Sequence, residues 1–337
     1  MKTLDLRSDT VTQPSASMKQ VMFDAPLGDD VFGDDPTINK LEQKAADLLN
    51  KEAAIFCSSG TQSNLIALMA HCQRGDEYIV GQVAHTYKYE AGGAAVLGSI
   101  QPQPILFDDD GTLDLNKVES VIKPDDYHFA KTRLLCLENT TGGKVLPLDY
   151  LYQAREFVDK HKLALHLDGA RAFNAAVKQA SSIKEIAAPF DSISICLSKG
   201  LGAPVGSVLV ASKSIINKAR RIRKILGGGM RQAGMLAAAG IYALDNNVER
   251  LADDHFNAKT LADELSSLDS ISLVEKVQTN MVFIKAEKQQ QLIDFLADRK
   301  ILISNNKTLR LVTHLDIHAE DVKSIVAAFK EFYSKES

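Results

Sequence analysis

The sequence predicts an α/β fold, with a large domain on a mostly parallel central sheet and a smaller C-terminal α/β domain. Three observations carry this reading. Between about residues 50 and 210, apolar strand-like runs alternate with helical segments, an order that lays strands in parallel with helices on both faces. A helix-rich stretch then separates this region from a second, shorter set of strands and helices. The length of 337 residues, with 45% hydrophobic and 24% charged side chains, suits one large and one small globular unit.

The elements follow in chain order. The first ~40 residues are rich in Asp, Gly and Pro, as in Pro26-Leu27-Gly28-Asp29-Asp30 and Phe32-Gly33-Asp34-Asp35-Pro36. The interspersed Val31 and Phe32 favour an ordered arm that packs on something over a flexible tail. Strands are expected at Ala53–Cys57, Glu77–Val80, Arg133–Leu137, Leu163–Leu167 and Ser192–Leu197, with helices such as Thr61–Cys72 and Tyr150–His161 between them. Long helices are expected from Met230 to Asn247 and from Val248 to Leu265. The second set has strands at Ile271–Val274, Met281–Ile284, Ile301–Ile303 and Leu309–Val312, and helices at Gln289–Arg299 and Ala319–Tyr333. The expected division puts the arm and large domain in residues 1–247 and the small domain in 248–337.

A net charge of −4 gives no bulk electrostatic case for binding DNA, RNA or an anionic membrane. Met1-Lys2-Thr3-Leu4-Asp5 opens no apolar signal segment, and no apolar run reaches the ~18 residues of a membrane span. Cys57, Cys72, Cys136 and Cys196 form no CxxC pair and read as reduced core thiols of a cytoplasmic protein. Neither Cys nor His clusters at ligand spacing, so no metal site is expected.

Parallel sheets bind ligands beyond the carboxyl ends of their strands, so the strand ends are where chemistry should lie. The run Ala53–Cys57 leads into Ser58-Ser59-Gly60-Thr61-Gln62-Ser63-Asn64 and a helix, which is a phosphate cradle or simply a good N-cap. Leu163–Leu167 ends in Asp168-Gly169-Ala170-Arg171, a carboxylate placed either in a salt-bridged turn or where it can pair with a heteroaromatic nitrogen. Ser192–Leu197 ends in Ser198-Lys199-Gly200-Leu201-Gly202. A lysine at the tip of a buried strand is costly to stability but is the residue an imine needs. Gly200, Gly202 and Gly206 are spaced GxGxxxG rather than GxGxxG, which argues against a dinucleotide loop. Phosphate site, acid and lysine together are what pyridoxal 5'-phosphate (PLP) requires.

The chain closely resembles the low-specificity L-threonine aldolases of PLP fold-type I (aspartate aminotransferase-like), over nearly its whole length. The resemblance rests on Asp5-Leu6-Arg7-Ser8-Asp9-Thr10-Val11-Thr12, Gly28-Asp29-Asp30-Val31-Phe32-Gly33-Asp34-Asp35-Pro36, His166–Arg171, Ser198–Gly202 and Gly227-Gly228-Gly229-Met230-Arg231-Gln232. It implies a carbon–carbon lyase (aldehyde-lyase) that cleaves L-threonine and L-allo-threonine to glycine and acetaldehyde. By the same resemblance, Lys199 carries the cofactor as a Schiff base, Asp168 pairs with the pyridine nitrogen, and Gly60 and Thr61 hold the phosphate. His85 would stack on the cofactor ring, Arg171 would contact the phenolic oxygen or the substrate carboxylate, and Ser8 and Arg310 would bind that carboxylate. His128 would lie near the substrate hydroxyl, and the base for it is left open among His85, His128 and a bound water.

Lys224 and Arg231 are implied to reach the phosphate of a neighbouring subunit, in a homotetramer (dimer of dimers) with composite sites. Family members often carry Glu-Asn-Thr-His where this chain has Glu138-Asn139-Thr140-Thr141, so no role for a histidine there is carried over. Another PLP reaction on a small amino acid, β-elimination or transamination, and a non-catalytic PLP-binding oligomer remain the alternatives.

Overall fold

The computed structural model describes residues 2–335. The arm starts as a two-residue strand, β1 (Leu4–Asp5), and a 3-10 turn, Asp9–Val11. It continues into helices α1 (Ala16–Phe23) and α2 (Pro36–Leu49). Asp35 explains how this segment is held. Its Oδ1 accepts the first-turn amides of Thr37 and Ile38 at 3.0 Å each. Its Oδ2 accepts those of Gly28 at 3.2 Å and Gly234 at 2.9 Å. One carboxylate thus caps α2 and also the helix Gly234–Asn246, with Pro36 preset for the first helical turn. Gly28 has to be glycine there, because a Cβ would come within 2.3 Å of the Asp34 carbonyl oxygen.

Beyond the arm come β2 (Ala53–Cys57), α3 (Gly60–His71), β3 (Asp76–Gly81), α4 (His85–Lys88), β4 (Gln101–Ile105), β5 (Lys131–Glu138), β6 (Ala164–Gly169), β7 (Ser192–Cys196) and β8 (Ser207–Ala211). These strands form one seven-stranded sheet in the order β2-β8-β7-β6-β5-β3-β4. Only β8 runs against its neighbours, so the sheet is mostly parallel, as expected. Two of its strands are absent from the sequence reading. Pro102 and Pro104 disguise β4, yet a proline pair is tolerated on an edge strand whose outer side needs no ladder donor. The strand β8 follows a glycine turn and, unlike its neighbours, is not separated from the preceding strand by a helix.

The small domain contains β9 (Ile271–Leu273), β10 (Met281–Ala286), β11 (Ile301–Leu302) and β12 (Leu309–Val312). The strands β12, β10 and β9 form an antiparallel sheet, while β1 pairs in parallel with β11. The helices Leu251–Leu265, Gln289–Asp298 and Ala319–Lys335 cover them. Two details depart from the expected layout. Leu4 and Leu6 belong to the apolar core of the small domain, because alternate residues of an extended segment face one way and β11 offered an open edge. The helix expected from Met230 starts instead at Gly234, where Asp35 supplies its cap. The helix Leu251–Leu265 starts just past the division expected at 247/248 but belongs to both cores: Leu251 packs in the large one, and Ala258, Leu261 and Leu265 in the small one.

Candidate active site

The carboxyl ends of β3, β5, β6 and β7 converge on one cavity of about 650 Å3, which the arm and the small domain close from the opposite side. Of the residues singled out in the sequence, it is lined by Ser8, His85, Arg171, Lys199 and Arg310. Glu138, Thr141, Tyr89, Phe107 and Lys144 complete much of the wall.

Lys199 sits in the turn after β7, closed by the Gly202 amide donating to the Lys199 carbonyl at 2.8 Å. On β6, alternation places His166 and Asp168 on the face covered by α3. Asp168 is 2% exposed. Its Oδ2 accepts from the Asn64 side-chain amide at 2.9 Å and its Oδ1 from the Ala170 backbone at 3.1 Å. Asn64 donates to Glu90 as well, at 2.9 Å.

His85, at the start of α4, is locked twice. Its backbone amide donates to Glu138 at 2.7 Å, and its Nδ1 meets Glu90 at 2.8 Å. The hydrogen bond from Glu90 raises the His85 pKa. Burial raises Glu90, partly offset by the His85 hydrogen bond, and burial together with the Asp168 charge pushes Glu138 up to about 7. His85, Glu90 and Asp168 bring ligand-type atoms within 4.8 Å of one another, and the hydrogen bonds among them and Asn64 account for that cluster.

The opposite wall is basic. Arg171, at the cap of the helix Ala172–Gln179, donates through Nε and Nη2 to the two oxygens of Asp9, at 2.8 and 2.5 Å. Burial would raise the Asp9 carboxyl, but the Arg171 charge and hydrogen bond overcome it and hold it at about 2. Arg171 is raised in turn, against its own burial. The arm carboxylate therefore occupies two donors of the guanidinium expected to meet the cofactor or the substrate. Arg310, on β12, donates from Nη2 to the Arg7 carbonyl at 3.0 Å, while its buried Nε has no partner. Burial and the Arg171 charge lower the Arg310 pKa. An unsatisfied guanidinium donor beside a second arginine is suited to a carboxylate.

Gly60 and Thr61 open α3 outside the cavity, with Ser59 capping the Gln62 amide at 3.1 Å. Their own amides are first-turn donors with no helical acceptor. The buried, unpartnered Ser207 Oγ lies 3.5 Å from where a Gly60 Cβ would be. These donors suit an anion, and they lie about one helical turn, ~6 Å, from Asn64 and its Asp168 contact. The donor set fits PLP: a helix end for its phosphate, a buried carboxylate for its ring nitrogen, a flat imidazole, and a lysine.

Besides Gly60, Thr61 and Asp168, three more expected residues do not line the cavity in the single chain. His128 sits on an exposed loop beside the exposed Tyr127 and Phe129, its side chain 63% accessible and held by Asp126 at 2.6 Å. Lys224 lines a separate basic cavity of about 360 Å3 with Asp30, Arg220 and Arg221. Arg231 is exposed and pairs with Asp29 at 2.9 Å. The sequence reading missed Asp9, Asn64, Glu90, Glu138 and Ser207 as site residues. Glu138 directly follows the strand expected at Arg133–Leu137 and Asp9 lies in a motif already singled out, so both were accessible to the same logic. Asn64 and Glu90 carry no such signal.

Residues 5–288 match the β-eliminating lyase family. The chain is 55% identical to the low specificity L-threonine aldolase of Escherichia coli K12 over 334 residues, covering 98% of this chain and 100% of that one. It is 38% identical to the low specificity L-threonine aldolase of Saccharomyces cerevisiae over 340 residues, covering 98% and 87% of the two chains. Among solved structures, the threonine aldolase of Leishmania major superposes with a TM-score of 0.85 at 22% identity, over 98% of this chain and 99% of that one. The fold is shared more widely, since Sphingomonas wittichii serine palmitoyltransferase gives a TM-score of 0.79 at 18% identity, over 98% and 87%. With the lysine, the buried aspartate and the helix-end donors set at the strand ends as described, the chain belongs to the threonine aldolase family of PLP-dependent, fold-type I lyases.

Proposed function

We propose that this protein cleaves L-threonine and L-allo-threonine at the Cα–Cβ bond, giving glycine and acetaldehyde. The observation that carries the reading is the meeting of Lys199, His85, Arg171, Arg310 and Ser8 on one cavity, in a chain 55% identical to a low specificity L-threonine aldolase. When bound, PLP supplies an electron sink for the pair released at Cα. Lys199 would hold the cofactor and could carry a proton at Nζ between the substrate and solvent. Asp168, fixed by Asn64 and the Ala170 amide, keeps the ring nitrogen protonated. Arg310 and Ser8 take the substrate carboxylate, with Arg171 beside them. His85 lines the cavity with Nδ1 engaged by Glu90, which leaves Nε2 for the β-hydroxyl proton, directly or through a water. His128 would act only if a second subunit brought it to the cavity.

Lys224 and Arg231 are proposed to reach the phosphate of a neighbouring subunit, in a homotetramer with composite sites. Their exposed setting and the basic cavity around Lys224 support this, and a cytoplasmic location is part of the same reading. Among the described residues no helix is long and apolar enough to cross a membrane. The test is acetaldehyde release from purified PLP-loaded protein, with L-threonine and L-allo-threonine assayed side by side. Release from both is expected. Ammonia and a keto acid without aldehyde would replace the aldolase reading by elimination or transamination.

A further inference from the structure

A line of buried polar side chains leads away from Asp168 through Asn64, and nothing in the reaction as described uses it beyond Asn64. Asn64 and His71 lie seven residues apart on α3, and therefore on nearly the same helix face. Beneath them, His166 on β6 and Ser192 on β7 are partners in register. Asn64, His166 and Ser192 are each 1% exposed or less. His71 Nε2 lies 2.7 Å from Ser192 Oγ, which lies 2.8 Å from His166 Nδ1. His166 Nε2 is then 3.3 Å from Asn64 Oδ1, and the Asn64 amide nitrogen is 2.9 Å from both Asp168 and Glu90.

Donor and acceptor capacity gives this chain a direction. Asp168 and Glu90 both face the Asn64 nitrogen, so the amide spends its two hydrogens on them and turns its oxygen to His166. That oxygen can only accept, so His166 donates through Nε2. Burial, then the neighbouring His71, lowers the His166 pKa to about 3, and burial lowers His71 to about 4, so both rings are neutral. A neutral His166 with its hydrogen on Nε2 has a lone pair on Nδ1, which accepts from the Ser192 hydroxyl. Ser192 in turn accepts from His71 Nε2. The Ser192 carbonyl, 3.1 Å from His166 Nδ1, would favour the opposite tautomer, but that would leave two lone pairs facing each other at Asn64.

We infer that Ser192 and His166 are positioning residues for the cofactor: they set the orientation of the Asn64 amide, and through it hold the Asp168 carboxylate toward the ring nitrogen. The inference rests on the placement of Asp168 at that nitrogen. It does not depend on which amino acid is cleaved.

The test is the dissociation constant for PLP, measured by reconstituting the apoenzyme, together with kcat and KM for L-threonine. The variants are Ser192→Ala, His166→Leu and His166→Gln. Ser192→Ala and His166→Leu should each weaken PLP binding by about 10- to 100-fold and lower kcat with little change in KM. His166→Gln keeps a donor toward Asn64 and should recover most of both. Ser192→Ala removes a single oxygen atom, so it reads the same step even if His166→Leu does not fold. Wild-type PLP affinity in Ser192→Ala overturns the inference, and so does a folded His166→Gln no better than His166→Leu. A parent protein that bound no PLP would sink the functional reading itself, and this inference with it.

Discussion

The two walls of the cavity are built in different ways. The floor comes from the ends of parallel strands, and its residues occur in short contiguous motifs such as His166–Arg171 and Ser198–Gly202. It is acidic and buried, with Asp168, Glu90 and Glu138 around His85. The facing wall is basic and assembled from distant parts of the chain. Arg310 holds the Arg7 carbonyl from 303 positions away, and Arg171 pairs with Asp9 across 162. The contrast separates two tasks. Ring chemistry needs fixed acids in a dry site. Substrate binding falls to a wall to which the arm and the second domain contribute Ser8 and Arg310.

Three substitutions test that contrast. On the floor, Lys199→Ala should give the largest effect: loss of the visible band of the lysine-bound cofactor, and a fall in turnover on the order of 10⁴-fold or more. Normal turnover in this variant would remove the site assignment.

Between the walls, Asp9→Asn should destabilise the protein by about 3–5 kcal/mol in urea unfolding, because it strands a buried guanidinium. Part of this depends on pH. The folded carboxyl is held at about 2, below its usual value of 3.8, so its stabilisation is fully present above pH ~4 and is lost as pH falls toward 2. The parent should therefore lose about 2 kcal/mol over that window that the variant does not. Equal acid sensitivity in the two proteins would mean that the arm is not anchored through this pair.

On the basic wall, Arg310→Leu should act mainly on binding. KM for L-threonine should rise by about 10- to 100-fold, the value of one charged hydrogen bond, with a smaller change in kcat. A fall in kcat at constant KM would move Arg310 from the substrate to the chemistry and blur the distinction between the walls.

Asp168 and Lys199, in the floor, were legible from sequence because each comes directly at a strand end. Once Leu163–Leu167 and Ser192–Leu197 read as strands, Asp168 and Lys199 had to emerge at the carboxyl edge of the sheet. His85 was legible only through family resemblance, since a lone histidine after a turn carries no signal of its own. The layer beneath, Asn64 and Glu90, could not be read at all. A polar residue inside a helix, such as Asn64, looks the same whether it faces water or a buried carboxylate, and only the packing of α3 on β6 decides; Glu90 lies in a bend after α4 and is placed only by its contacts with Asn64 and His85.

The sequence by itself determined the class of fold, the mostly parallel sheet and the lysine–aspartate pair, because hydrophobic periodicity and strand ends are local properties. The tertiary structure alone decided that Asp9 clamps Arg171, that Leu4 and Leu6 join the small domain, and that His128, Lys224 and Arg231 stand away from the cavity of their own chain. Those outcomes depend on which surfaces meet across long stretches of chain, and no local pattern of residues encodes that meeting.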